Sequence, residues 1–167
     1  MKKIRLNKIQ LLSKIANSYL YEPENFSKLI SATPNIENFE SIIKNRQPIN
    51  RKLLVEELLI QNIDAPNKAI ENIQLLKNDN TFTITTGHQI CLFTGPLYSI
   101  YKIISTLNLT KRLKEKYPQY DYVPIFWMAT EDHDFEEINH VNIFDKKITW
   151  NTNQSGPVGR FSTADMT

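Results

Sequence analysis

Apolar residues recur at helical spacing through the first half of the chain. Ile9, Leu12, Ile15, Ala16 and Tyr19 fall on one face of a helix that Pro23 ends. Ile36, Phe39, Ile42 and Ile43 make a short second stripe before Pro48. Asn50 is placed to cap a third helix carrying Leu54, Val55, Leu58 and Leu59. Pro66, in a first helical turn, opens a fourth with Ala69, Ile70, Ile73 and Leu76 on one side. These stripes read as packing surfaces, so residues 1–80 form an N-terminal helical region packing on the core that follows.

The pattern changes after Lys77-Asn78-Asp79-Asn80. Thr81 to Thr86 is β-branched and aromatic and predicts a strand, running into Gly87-His88-Gln89 and a turn at Phe93-Thr94-Gly95-Pro96. A helix is predicted from Pro96, with Leu97, Ile100, Ile104 and Leu107 on its buried stripe. Lys111, Arg112, Lys114 and Lys116 at its end complement the carbonyl pole of the helix dipole, and Pro118 closes it. Tyr122 to Ala129 is a continuous apolar run, the pattern of a strand buried on both faces of a parallel sheet, with Trp127 in the core. Strand, helix and strand make a βαβ unit. Further on, Val141–Phe144 and Lys147–Asn151 predict a hairpin around Asp145-Lys146. Two core strands do not complete a doubly wound sheet, so residues 81–167 read as the first, incomplete part of an α/β domain in a longer protein.

Composition narrows the function classes. Twenty basic against 18 acidic residues leave a net charge of +2, too balanced for a nucleic-acid footprint. One cysteine, Cys91, rules out an intrachain disulfide framework and fits a reducing compartment. No apolar run approaches the ~18 residues of a membrane span, and polar residues interrupt any signal-like stretch near the start. A cytoplasmic protein with neither nucleic acid nor membrane as partner is expected. Only four glycines occur, all after residue 86, as do the three histidines. Against an average near ~7% glycine, so few glycines mark places where the backbone needs them, and the chemistry is sought in the second half.

Two constellations stand out there. Thr85-Thr86-Gly87-His88-Gln89 through Phe93-Thr94-Gly95-Pro96-Leu97-Tyr98 lies where the first strand hands over to the first helix, at the edge where open α/β sheets bind ligands. Backbone N–H groups at such a helix start face an anion, and the glycines admit close approach. Neither the dinucleotide fingerprint nor the P-loop pattern is present. An unliganded turn is the competing reading. The second is Glu131-Asp132-His133-Asp134-Phe135-Glu136-Glu137-Ile138-Asn139-His140, where five of 18 acids crowd into seven residues. Crowded carboxylates fit general-base work, a grip on an amine or ribose hydroxyl, or metal ligation; a solvated acidic turn capping a short helix competes with all three. Cys91 reads as a packed residue rather than a nucleophile, Lys102 as surface, and Arg160, after Gly156-Pro157-Val158-Gly159, as an anion-binding candidate.

Taken together, Thr86–Gln89, Leu92–Tyr98 with Lys102, Val123–Trp127, Glu131–Phe135, Asn139-His140 and Gly156–Arg160 resemble, in the same order, the BshC family of cysteine-adding ligases in bacillithiol biosynthesis. The helical first half matches only in general character. The resemblance implies a Rossmann-like core akin to class I aminoacyl-tRNA synthetases and nucleotidyltransferases, truncated here before the rest of the core and a C-terminal coiled coil that would make a homodimer. It implies small-molecule substrates, cysteine and glucosaminyl-malate, joined through an amide bond. It points to ATP or another nucleotide as activating cofactor, and to no metal. On this reading Asp132, His133 and Asp134 are catalytic. Thr86, Gly87, His88, Gln89, Thr94, Gly95, Tyr98, Glu131, Asn139 and Arg160 bind substrate or nucleotide. Members of the family commonly carry Gln where this chain has His88, so a role there rests on hydrogen bonding rather than imidazole protonation. This piece alone is expected to be inactive. A nucleotide- or sugar-acid-binding module without catalysis, and a metal-dependent hydrolase built on Asp132, His133, Asp134 and His140, are the alternatives.

Overall fold

A computed structural model describes residues 11–33 and 35–166. The chain divides into two compact units with the boundary between Asn50 and Arg51, whereas the sequence changes character near residue 80. In the first unit, helix α1 (Lys14–Tyr21) is capped by Ser13, whose hydroxyl accepts the Ala16 N–H at 3.2 Å. Ile9, from the predicted stripe, lies outside the described residues. A 3₁₀ turn over Ile36–Asn38, capped by Asn35, leads into α2 (Phe39–Lys44), which buries Ile43.

The second unit holds the sheet. Helices α3 (Arg51–Gln61) and α4 (Asn67–Leu75) come first; Pro66 takes the cap position rather than the first turn of α4. Strands β1 (Thr81–His88) and β2 (Asp121–Met128) pair in parallel, from Thr81 opposite Asp121 to His88 opposite Met128, with α5 (Leu97–Lys116) between them in sequence. Val55, Ile73, Leu76 and Val123 form the buried cluster, with Ile125 packed against it. β2 thus presents its odd positions to α3 and α4, and alternation turns Pro124 and Phe126 toward α5. Arg51, with a side chain only 12% exposed, donates to the carbonyls of Leu76 (2.8 Å) and Thr81 (3.0 Å) and pairs with Asp79, tying the start of α3 to the chain entering β1.

Three expectations about burial fail. β2 is buried only at Tyr122 and Val123; Phe126 and Met128 are exposed, and Trp127, expected in the core, is 68% exposed. On α5, Leu97, Ile100, Ile104 and Leu107 are all exposed, and Ser99 and Leu113 are its buried residues. The reason is shared: a two-stranded sheet is too narrow to cover a 20-residue helix, and α3 and α4 reach only the early half of β2. The strand also runs two residues past Thr86, because Gly87 and His88 still pair with Trp127 and Met128.

A short helix α6 (Phe135–Ile138) and the hairpin β3 (His140–Ile143) and β4 (Lys146–Thr149) follow. The hairpin turn falls on Phe144-Asp145, one residue earlier than expected, with φ of +47° and +62° as a two-residue type I′ connection requires. Trp150, rather than Trp127, is the buried indole. It packs edge-on against Phe135 and Phe161 and donates Nε1–H to Asp165 at 3.0 Å.

Asp165 also accepts from Thr152 at 2.6 Å and Gln154 at 3.3 Å. The Thr152 bond foremost, with those from Trp150 and Gln154, holds its carboxyl below the ordinary Asp value of 3.8 against the opposing effect of desolvation. With a depressed folded value, its stabilisation is complete above pH 3.8 and is lost as the pH falls through the lower folded value. Trp150 emission is therefore expected to shift to the red on acidification below pH 3.8, and Asp165→Asn to flatten that response. Trp127, already exposed, contributes little to the change.

Candidate functional site

The two strand tips meet at the carboxyl edge of the sheet. His88 O accepts the Ala129 N–H at 3.1 Å, closing the register just past both strands. Gly87 is required at this junction, since a Cβ there would stand 2.8 Å from the Trp127 carbonyl oxygen. The chain leaving β1 turns through Phe93, Thr94 and Gly95, all at positive φ (50°, 72° and 69°), before α5 begins. A Cβ on Gly95 would fall 2.6 Å from Cys91 Cβ and 2.9 Å from its sulfur, so Cys91 lies packed under the turn. Burial and the Glu137 carboxylate push the Cys91 thiol up, with Lys102 opposing. It packs against the turn while staying partly exposed.

His88 is the buried centre, its side chain 4% exposed. Its Nδ1 lies 3.0 Å from Gln89 O and 3.3 Å from Cys91 Sγ; its Nε2 lies 2.8 Å from the Tyr98 hydroxyl. Tyr98 donates to Glu137 Oε1 at 3.2 Å, and the Gln89 amide donates to Glu137 Oε2 at 2.6 Å. Residues from β1, α5 and α6 thus join in one polar cluster. Lys102 is exposed, yet its ammonium donates to Gly87 O at 3.2 Å and sits 5.4 Å from the Tyr98 ring centroid. Two polar atoms at this corner, Ser99 Oγ and Gln89 Oε1, are buried with no hydrogen-bond partner among the described residues. A shallow groove of about 470 Å³ opens beside Tyr98, lined by Thr85 and Thr86 of β1 and Tyr101, Lys102 and Ser105 of α5.

The acidic run behaves differently from its members' shared expectation. Glu131, Asp132, His133, Asp134, Glu136 and Glu137 are exposed, Glu137 with its side chain at 39%. Asp132 Oδ1 accepts the N–H groups of His133 (2.7 Å) and Asp134 (3.2 Å), an Asx turn, and Asp134 Oδ1 accepts from Glu137 N at 3.2 Å as the cap of α6. Glu131 pairs with Arg160 at 2.9 Å, and Gly159 docks so closely that a Cβ would lie 2.6 Å from the Thr130 carbonyl oxygen. Arg160 therefore sits beside a carboxylate that already answers its charge. Asn139 hydrogen-bonds toward His140 Nδ1 at 3.1 Å and, through its carbonyl, receives Trp150 N–H. Among the described residues no three His, Cys, Asp or Glu side chains are arranged to hold a metal ion, so Asp132, His133, Asp134 and His140 do not gather as ligands.

Thr86, Gly87, His88, Gln89, Gly95 and Tyr98 are thus brought together, with Thr94 exposed on the turn above. Glu137, which joins them, was not singled out in the sequence. Its signal was available: Asp134 and Glu137 stand three apart at a helix start, which orients the first turn of α6.

The whole chain, residues 1–167, matches a family model described as Bacillithiol biosynthesis BshC, N-terminal Rossmann-like domain. It is 53% identical over 160 residues to a protein of Flavobacterium johnsoniae, covering 92% of this chain and 30% of that one. Relatives from Flavobacterium psychrophilum (51% identity, 98% of this chain, 32% of the relative) and Cytophaga hutchinsonii (47%, 99% and 33%) are similar in extent. All three carry the name "Putative cysteine ligase BshC". The chain spans about a third of the length of these relatives. Among the described residues no helix is long and apolar enough to cross a membrane.

Proposed function

The chain belongs to the BshC family as its N-terminal Rossmann-like domain, and from that premise we propose that it forms one wall of a ligase site. The whole protein would join the carboxyl of cysteine to the amine of glucosaminyl-malate, working in the cytoplasm as a homodimer through a coiled coil. Amide formation from a carboxylate requires an activated acyl group, and ATP or another nucleotide is the activating cofactor of this proposal. The observation that carries the reading is the polar corner where β1 meets α5. Buried, unpartnered Ser99 Oγ and Gln89 Oε1 beside the positive pole of a 20-residue helix suit a polar ligand that completes their hydrogen bonding. Thr86, Gly87, His88, Gln89, Thr94, Gly95 and Tyr98 would face that ligand.

Asp132 is proposed as the base that takes the proton of the attacking amine, with His133 and Asp134 beside it and Glu131, Asn139 and Arg160 at the rim. One oxygen of Asp132 is engaged by backbone N–H groups, so proton transfer falls to the other. Residues 1–167 alone would be inactive, since a single wall leaves the activated acyl group open to water.

The test is nucleotide consumption by full-length protein with cysteine, with and without glucosaminyl-malate. Turnover requiring both substrates and yielding the amide supports the ligase. Nucleotide binding with no consumption would move the protein to the binding-module reading.

A further inference from the structure

We propose that Glu137 is a positioning residue for this site, holding Gln89 and Tyr98 in the orientation from which they meet substrate. The inference rests on the ligase reading for its substrates, but not for its geometry. Glu137 is the member of the acidic run whose carboxylate turns back onto the strand tips. One oxygen accepts from the Gln89 amide at 2.6 Å and the other from the Tyr98 hydroxyl at 3.2 Å, while His88 Nε2 lies 3.5 Å away. Gln89 comes from the end of β1 and Tyr98 from the first turn of α5, so one carboxylate spans the mouth of the strand-to-helix turn. Gln89 depends on it most, since Gln89 Oε1 has no hydrogen-bond partner among the described residues; Tyr98, 47% exposed, is held from its other side by His88 Nε2 at 2.8 Å.

The carboxylate is itself held in place. Asp134 caps α6 by accepting from Glu137 N, and Ile138, next in sequence, is buried at 4% exposure. Asp134 and Ile138 thus fix the backbone from which Glu137 reaches, while Asp132 shapes the preceding turn. The acidic run divides its labour accordingly. Asp132 and Asp134 spend oxygens on backbone N–H groups, Glu131 on Arg160, and Glu137 on the side chains of the opposite tip. A misplaced positioning contact of this kind costs up to about 100-fold in rate without any group leaving the reaction.

Two variants of the full-length protein test this, with two readouts. Glu137→Gln keeps the side chain's length but removes its charge, and its N–H₂ can meet the Tyr98 hydroxyl only if that hydroxyl turns to donate to His88 Nε2; Glu137→Ala loses both bonds. The expected result is a fall in kcat of roughly 10- to 100-fold, larger for Ala than for Gln, with the thermal midpoint within a few degrees of wild type. The second readout needs no substrate. In crystal structures of the variants the Gln89 side chain, and with it Tyr98, should leave its wild-type orientation, further in Glu137→Ala than in Glu137→Gln. Unchanged kcat in both variants overturns the proposal. If the wild-type protein shows no ligase turnover, the functional reading fails by itself, and the variant structures then decide the geometry: displaced Gln89 and Tyr98 side chains support the clamp and unmoved ones overturn it. If Glu137→Ala fails to fold, Glu137→Gln carries both readouts.

Discussion

Replacing Asp132 with Asn in the full-length protein is expected to lower ligase turnover by ~10²–10⁴, the usual cost of losing a general base, with little change in stability. The structure makes this substitution unusually clean. Asp132 Oδ1 accepts the N–H groups of His133 at 2.7 Å and Asp134 at 3.2 Å, and an Asn carbonyl oxygen offers the same acceptor in the same place. The Asx turn is kept, and so is the cap that Asp134 provides for α6. What Asn cannot do is take a proton at neutral pH. A loss of turnover with an unchanged thermal midpoint would therefore report on the chemistry. Asp132→Ala, which removes the acceptor too, should lose stability as well, by about 1 kcal/mol for a capping-type bond. Turnover of the Asn variant within a few-fold of wild type would restrict Asp132 to shaping the turn and leave the base to be sought elsewhere.

The positions of elements were legible in the sequence wherever local rules decide them. Pro23 and Pro118 close their helices, the β-branched run at Thr81 is a strand, and the chain from Gly95 into α5 follows the glycine and proline signals closely. Burial was less legible, because it depends on what lies across from a residue. The run Tyr122 to Ala129 has the composition of a strand covered on both faces, yet full burial ends at Val123, Pro124 and Ile125 are half-buried, and Trp127 stands exposed. Trp150 is the converse: it sits among polar residues in sequence and is buried by Phe135 and Phe161, which lie 15 and 11 positions away. The site followed the same divide. Its strand-to-helix half could be read from glycine placement, whereas Glu137 looked like one more acid in a solvated run. Only the pairing of β1 with β2 brings it to Gln89 and Tyr98, a separation of 48 and 39 residues that no local pattern encodes.

Gly95→Ala is expected to destabilise the protein by about 2–6 kcal/mol, from two separable causes. The first is conformational. Gly95 has φ of +69° and ψ of −164°, a region that is essentially glycine's alone and costs other residues about 1–3 kcal/mol. The second is steric: the new Cβ would stand 2.6 Å from Cys91 Cβ and 2.9 Å from its sulfur, and forced overpacking adds about 1–3 kcal/mol. A double-mutant cycle divides them. On a Cys91→Ala background the 2.6 Å contact persists, so Gly95→Ala should cost nearly as much as in wild type. On a Cys91→Gly background the steric share disappears and the conformational share remains. Thermal unfolding of the four proteins in each cycle measures both. The consequence reaches the site, since the turn at Gly95 sets where α5 begins and hence where Tyr98 and Ser99 stand. A Gly95→Ala protein as stable as wild type would mean that the turn is not wound as described, and the polar corner beneath it would lose its foundation.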